Sequence, residues 1–234
     1  MSSLFLLQVM QNIQSPSPSL PVGSVEQVAQ LSVWELAQKG GWIMVVLGLL
    51  SLIAIYLFVA KLLELRAASS EDPSFIDRMK DYVSTERMDA ALSLCEKTNT
   101  PLSRVLGKLL PRQDRSMQEK MVVVENAGNV EAGKLQKNMP LLATIAAAAP
   151  MIGFLGTVTG MVRAFFDMAS ASQAVDLGVL SSGIYEALVT TVGGLIVGII
   201  TLFIYNFLVA RINSVLNRVE ANALDVAEFL QDRQ

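Results

Sequence analysis

The residues best suited to chemistry in this chain lie in strongly apolar surroundings. Glu186 is the only charged residue between positions 184 and 210, and an ionised side chain at the centre of a membrane helix costs about 2.5–3.5 kcal/mol. Thr190 lies four residues further on, hence on the same helix face, and Thr191 flanks it. Hydroxyls beside a carboxylate offer hydrogen bonds for a hydrated path, so the group predicts ion passage or its gating. The alternative is a carboxylate that reaches water at the membrane surface.

Two apolar segments, 139–166 and 184–210, carry stripes of small residues. Their small and polar residues recur at alternating steps of three and four, which places them on one face of each helix. Small side chains let two helix backbones approach closely in a membrane. Thr157 lies on the first stripe. The glycines predicted to serve helix packing are Gly153, Gly156, Gly160, Gly194 and Gly198.

The composition points to a membrane protein. Of 234 residues, 52% are hydrophobic and 17% are charged, whereas a soluble domain carries about 25% charged residues. The net charge of −3 gives no reason to expect a nucleic-acid partner. The chain has no histidine and one cysteine, Cys95, so it lacks the ligands of a Cys/His zinc site and the pair needed for an internal disulfide. No metal or cofactor is predicted, and Cys95 is expected to be packed on a helix.

Three segments are long and apolar enough to span a membrane, at 42–60, 139–166 and 184–210. Of the 18 lysines and arginines, 13 lie between positions 61 and 137, and most of the rest follow the third span. Basic residues collect on the cytoplasmic side. This predicts segment 1–41 and loop 167–183 outside, and regions 61–138 and 211–234 in the cytoplasm. Arg163, near the outer end of the second span, is interpreted as an interfacial anchor.

The cytoplasmic regions are predicted to be helical. Helices are expected to start at Pro73, over 87–97 and over 101–110, with proline only at their boundaries. A polar helix from Ser116 is expected to continue unbroken into the second span at Met139. Residues 211–232 should extend the third span, because apolar residues recur there at helical spacing. The predicted fold is all-α, with three membrane helices and a small helical domain.

Two motifs resemble a known family. Residues 149–160 read APMIGFLGTVTG and residues 183–191 read GIYEALVTT, and both resemble the MotA/TolQ/ExbB proton-channel family. Within it the ExbB members are most similar, and the resemblance covers about residues 34–230. One departure is Ile200, where many ExbB and TolQ chains carry proline, so a hinge there is not expected.

The resemblance implies a homopentamer in the bacterial inner membrane, with the N-terminus in the periplasm and the C-terminus in the cytoplasm. The second and third spans would line a pore that holds a dimer of an ExbD- or TolR-like single-span protein. The complex would use the proton motive force, through a TonB-like transducer, to energise transport at the outer membrane. Membrane lipids are further expected partners. A TolQ-like role in envelope integrity is the alternative. The residues corresponding to Thr157, Glu186 and Thr191 face the pore interior in such proteins; Thr190 is added from helical spacing.

Three other classes of function fit the sequence less well. Residues 128–134 fit the phosphate-binding pattern G-x-x-x-x-G-K, but Leu135 stands where a magnesium-binding Ser or Thr belongs. An enzyme is therefore not predicted. A structural membrane scaffold explains the small stripes without giving Glu186 a role. A self-sufficient secondary transporter is disfavoured, because three spans rarely enclose a site and no inverted repeat is visible.

Overall fold

The chain forms an all-helical structure, seen in a computed structural model that describes residues 41–69, 74–170 and 177–232. Segment 1–41, apart from its last residue, and Pro73 lie outside the described residues, as does part of loop 167–183. Within the described ranges there are seven α helices, one 3-10 helix and no strand, which confirms the all-α prediction. The helices are α1 (Gly41–Ser69), α2 (Phe75–Ser84), α3 (Met88–Thr98), α4 (Pro101–Leu109), the 3-10 helix (Leu110–Arg112), α5 (Met117–Leu135), α6 (Met139–Ser170) and α7 (Leu177–Gln231).

Among the described residues, three helices are long and apolar enough to cross a membrane, α1, α6 and α7, as predicted. α6 and α7 pack along each other, and α1 packs against both. Large apolar side chains remain exposed on all three, including Trp42, Phe154 and Phe203, which suits contact with lipid tails or other membrane helices. α7 runs for 55 residues without interruption through Ile200, so the third span and the predicted C-terminal helix are one element.

Helices α2–α5 form a helical domain together with the C-terminal part of α7. We call the end of the membrane bundle next to this domain the domain end, and the other the Gly41 end. α4 begins with a capping box, in which Ser103 N donates to Thr100 Oγ1 and Thr100 N donates to Ser103 Oγ. Cys95 is buried in this domain, and burial together with nearby Glu96 raises the pKa of its thiol to about 11. The thiol is therefore unreactive at neutral pH.

The predicted unbroken helix from Ser116 into the second span is wrong. α5 ends at Leu135, and Asn138 adopts a left-handed conformation with φ 69° before α6 begins at Met139. The cause is Pro140, which has no N–H for the carbonyl of Gln136 and whose ring would clash with it in a continuous helix. Met139 N donates to Gln136 O instead, at 3.0 Å. The turn lets α5 leave the axis of α6 and pack against α4 and α7.

A buried carboxylate connects α4 to α5. The Glu131 side chain is only 3% exposed; Arg104 Nε and Nη2 donate to Oε2 at 2.9 and 2.6 Å, and Lys134 Nζ donates to Oε1 at 2.7 Å. Burial by itself raises the pKa of Glu131, but the hydrogen bonds and positive charges of Arg104 and Lys134 outweigh it, so the pKa is lowered. The ionised form is therefore the one that stabilises the fold.

We expect Glu131→Gln to lower the free energy of unfolding at pH 7 by about 1–3 kcal/mol, because the three charge-assisted hydrogen bonds to the carboxylate are lost or weakened. A carboxyl group whose pKa is lower in the folded than in the unfolded protein stabilises the fold at pH values above its unfolded pKa, which is about 4.3 for glutamate. This stabilisation is lost as the pH falls through the folded pKa. The difference between wild type and variant should therefore shrink in acid. Thermal unfolding in mild detergent, at pH 7 and in a series of steps below about pH 4, measures it. Glu119→Gln is the matched control on the same helix, because its pair with Arg115 is long, at 3.7 Å, and exposed. A Glu131→Gln effect that did not depend on pH would contradict this account.

A second buried charge lies where α5 meets the end of α7. Lys120 is fully buried, and its Nζ donates to Gln231 Oε1 at 3.1 Å. Burial lowers the pKa of Lys120, while the charge of Asp114 acts in the opposite direction. A cation at this position also favours the carbonyl end of the α7 helix dipole. The far end of α7 is thus attached to the helical domain.

Candidate functional site

The stripes of small residues meet where α6 and α7 cross. A Cβ atom added to Gly194 would lie 2.6 Å from Ala149 O and 2.8 Å from Gly153 Cα, so backbone faces backbone. A Cβ atom on Gly160 would lie 2.9 Å from Ala187 Cβ. Gly156 packs directly against the side chain of Thr190. Only glycine fits this close approach, and the contact holds α6 and α7 in one register.

Pro150 extends this contact towards the domain end. Its ring occupies the space beside Gly198, where an added Cβ would lie 2.5 Å from the proline Cγ. Because Pro150 has no N–H, the carbonyl of Ala146 loses its normal partner within the helix. That carbonyl lies against Gly198, 3.1 Å from an added Cβ. Gly198 therefore admits both the ring and the freed carbonyl.

The crossing also brings two threonine hydroxyls together. Thr157 Oγ1 and Thr191 Oγ1 are 2.8 Å apart, within hydrogen-bond distance. Thr157 Oγ1 also lies 2.7 Å from Phe154 O, and Thr191 Oγ1 lies 3.1 Å from Gly153 O. Each hydroxyl has one proton, so one of the two donates to the other while its partner donates to a backbone carbonyl. The pair therefore has two hydrogen-bond arrangements that differ only in the direction of the O–H groups.

Thr190 belongs to the helix contact. It is buried, and its Oγ1 donates to Ala187 O at 2.7 Å and lies 3.3 Å from Gly153 O. Its side chain fills the space left by Gly156. Thr190 also forms part of the wall of a cavity at the Gly41 end.

That cavity has a volume of about 420 Å³ and lies between α1, α6 and α7. Glu186, Arg163 and Asp167 contribute its charges, and hydroxyl groups supply the rest of its polar wall, from Thr159, Ser182 and Thr190. Glu186 is half-buried and forms no ion pair with any described residue. Its Oε1 lies against Gly41, 2.7 Å from the position of an added Cβ. A cavity with these walls can hold water next to a carboxylate.

The structure thus divides the predicted site residues into two groups. Thr157 bonds to Thr191 at the helix crossing, whereas Glu186 and Thr190 share the cavity wall. No direct hydrogen bond joins Glu186 to these threonines within the described part of the chain. Whether these four residues line a pore stays a prediction.

Several cavity residues fall outside the predicted site, among them Arg163, Asp167 and Gly41. The sequence indicates only an anchoring role for Arg163 and no role for Asp167 or Gly41. The spacing of four between Arg163 and Asp167 could have indicated that they share a helix face. Nothing local in the sequence indicates that Gly41 meets Glu186, because that contact depends on how α1 packs.

The alternative based on residues 128–134 does not agree with the geometry. These residues lie inside α5, where backbone N–H groups are used by the helix, so they form no loop that could surround a phosphate. No group of three His, Cys, Asp or Glu side chains placed to hold a metal ion occurs among the described residues.

Comparisons with known proteins agree with the motifs. The profile of the MotA/TolQ/ExbB proton channel family matches residues 97–221. A biopolymer transport protein ExbB homolog from Methanothermobacter thermautotrophicus is 26% identical over 193 residues, covering 81% of this chain and 67% of the relative. The ExbB-like protein 1 of Synechocystis sp. is 30% identical, covering 74% of this chain and 68% of the relative. The Tol-Pal system protein TolQ of Haemophilus influenzae is 40% identical over 89 residues, covering 38% and 39%. The chain belongs to the MotA/TolQ/ExbB proton channel family.

Proposed function

We propose that this chain is the proton-channel subunit of an inner-membrane motor that uses the proton motive force to energise transport at the outer membrane. The observation that carries the proposal is Glu186 beside a cavity of about 420 Å³ within the membrane bundle, without an ion pair to any described residue. A carboxylate in a membrane segment is costly and is therefore retained for a function. Support also comes from the relatives, which are named for biopolymer transport and for the Tol-Pal system.

The path that we propose uses both groups of site residues. Glu186 takes up or releases a proton from water in the cavity, and the Thr157–Thr191 pair relays hydrogen bonds at the helix crossing. Reversal of the two hydroxyl directions changes which carbonyl accepts a bond. The basic region 61–137 supports an orientation with the helical domain in the cytoplasm and the Gly41 end at the periplasm.

The proposed motor also requires other protein subunits next to the membrane helices. α6 and α7 leave large apolar side chains exposed near the site, including Phe154, Val158, Leu188 and Val192. Neighbouring copies and the helix of a single-span protein would cover part of that surface. We infer a homopentamer around a dimer of an ExbD- or TolR-like protein, coupled to a TonB-like transducer.

Native mass spectrometry of the complex, extracted from its own membranes in mild detergent, tests this assembly. We expect five copies of the chain and two copies of a small single-span protein, because the pore requires both. The same spectrum from cells that lack the single-span protein is the control. A monomer or dimer with no such partner after gentle extraction would contradict the motor and favour a membrane scaffold.

The identity of the partner separates two candidate systems. The relatives named ExbB favour biopolymer transport, and the 40% identity to a TolQ protein over 89 residues favours a Tol-Pal role as the second candidate. An ExbD-like partner supports the first system, and a TolR-like partner supports the second.

A further inference from the structure

A groove with a strongly positive rim lies at the domain end, between α1 and α7. Its volume is about 330 Å³. Apolar residues form one part of its wall and arginines form the other, namely Phe58, Leu62 and Phe207 against Arg66, Arg211 and Arg218.

The two helices present the same order of residues towards the groove. On α1, Phe58, Leu62 and Arg66 follow one another at steps of four, and on α7 Phe207 and Arg211 do so as well. Phe58 and Phe207 meet edge to face, with ring centroids 6.5 Å apart. The apolar part of the groove therefore faces the membrane interior, and the arginines lie where the first and third spans end.

The three arginines are held in place, and none of them forms an ion pair with a described residue. Arg218 Nη2 donates to Ser69 Oγ at 2.6 Å, and the Arg211 guanidinium lies 5.4 Å from the centroid of the Phe207 ring. Arg66 is exposed and forms no ion pair with a described residue. In the part of the chain that the structure describes, no acidic residue lines the groove. Each guanidinium has five N–H donors, so most of them remain available to an anion.

We propose that this groove binds an anionic phospholipid in the leaflet that meets the domain end. Arg66 and Arg211 hold the phosphate, Arg218 contacts the rest of the headgroup, and an acyl chain lies along Phe58, Leu62 and Phe207. Charge complementarity selects an anionic headgroup, and the apolar wall selects a lipid over a free ion. The site depends on membrane insertion of the bundle and is independent of proton conduction.

The test titrates dioleoyl phosphatidylglycerol into the complex, purified and delipidated in a neutral detergent, with thermal unfolding as the readout. We expect stabilisation by phosphatidylglycerol but not by dioleoyl phosphatidylcholine or inorganic phosphate. Arg66→Gln and Arg211→Gln should each weaken apparent binding about fivefold, the equivalent of about 1 kcal/mol for each basic residue. Arg66→Lys keeps the charge and should retain most of the binding.

Lys137→Gln is the matched control, because Lys137 is exposed next to the start of α6 at the same end of the bundle but outside the groove. Equal stabilisation of wild type and Arg66→Gln would overturn the proposal, and so would equal stabilisation by phosphatidylcholine. Stabilisation by inorganic phosphate alone would overturn it in favour of an anion site that takes no lipid. A third outcome would also overturn the proposal: phosphatidylglycerol does not stabilise wild type, and Arg66→Gln changes the number of copies of the chain in the complex. The arginines would then be assigned to contact with acidic residues of a neighbouring subunit.

Discussion

Gly194→Ala should lower the thermal unfolding temperature of the extracted protein by several degrees. An alanine Cβ would lie 2.6 Å from Ala149 O and 2.8 Å from Gly153 Cα, so two backbones have to separate. Overpacking of this kind costs about 1–3 kcal/mol, whereas alanine in an unobstructed helix is favoured over glycine by about 1 kcal/mol. The separation should also break the 2.8 Å contact between Thr157 and Thr191. Thermal unfolding in mild detergent measures the stability.

Gly48→Ala is the matched control in a membrane helix, since an added Cβ there meets nothing within 4 Å. It should leave the unfolding temperature unchanged or raise it slightly. Gly128→Ala in α5 is a second control of the same kind, outside the membrane. Equal unfolding temperatures for Gly194→Ala and Gly48→Ala would show that the close approach of α6 to α7 at Gly194 does not stabilise the protein.

Glu186→Gln should abolish most proton-driven activity while the complex still assembles. Glutamine keeps the shape of the side chain but cannot exchange a proton, and Glu186 forms no ion pair with a described residue on which folding depends. Proton uptake by vesicles that contain the complete complex, driven by an imposed potential, is the measurement. Thr157→Val should reduce the same flux by about 2- to 13-fold, the equivalent of one neutral hydrogen bond worth about 0.5–1.5 kcal/mol in the rate-limiting path.

Matched variants separate the pathway from general effects of substitution. Glu220→Gln removes an exposed carboxylate from the same helix, far from the cavity. Thr144→Val removes a hydroxyl of α6 that bonds to the carbonyl of Pro140. Both should conduct like wild type. Normal proton flux in assembled Glu186→Gln would remove this residue from the pathway and end the proton-channel assignment of the cavity.

Local signals predict the helical domain well. Asn99, Thr100 and Pro101 mark the end of α3 and the start of α4, and the structure has those boundaries because a left-handed residue, a cap and a proline each fix one backbone position. The break before α6 is harder to predict, because Pro140 stands at the start of an apolar span and looks like part of it. Its effect acts on the carbonyl of Gln136, four residues earlier.

For the site, the sequence predicts which residues share a face of one helix, but not which faces of different helices meet. Steps of three and four place Gly153 and Gly160 on one face of α6 and Gly194 and Gly198 on one face of α7, and these glycines lie at the contact between the two helices. They could not fix the register of α6 against α7, and that register decides that Thr157 meets Thr191, 34 residues away. The contact of Glu186 with Gly41 depends on how α1 packs against α7, so no pattern of residues within α7 predicts it.

The unbroken α7 helix gives the molecule a mechanical property. It is 55 residues long, and at 1.5 Å per residue it spans about 82 Å. It carries Glu186 near one end and reaches the Lys120–Gln231 bond at the other. A rod of this length that tilts by about 5° at the helix crossing moves its far tip by several ångströms, because displacement grows with distance from the pivot. A small change in the tilt of α7 at the helix crossing would therefore become a larger displacement where α7 packs against the helical domain.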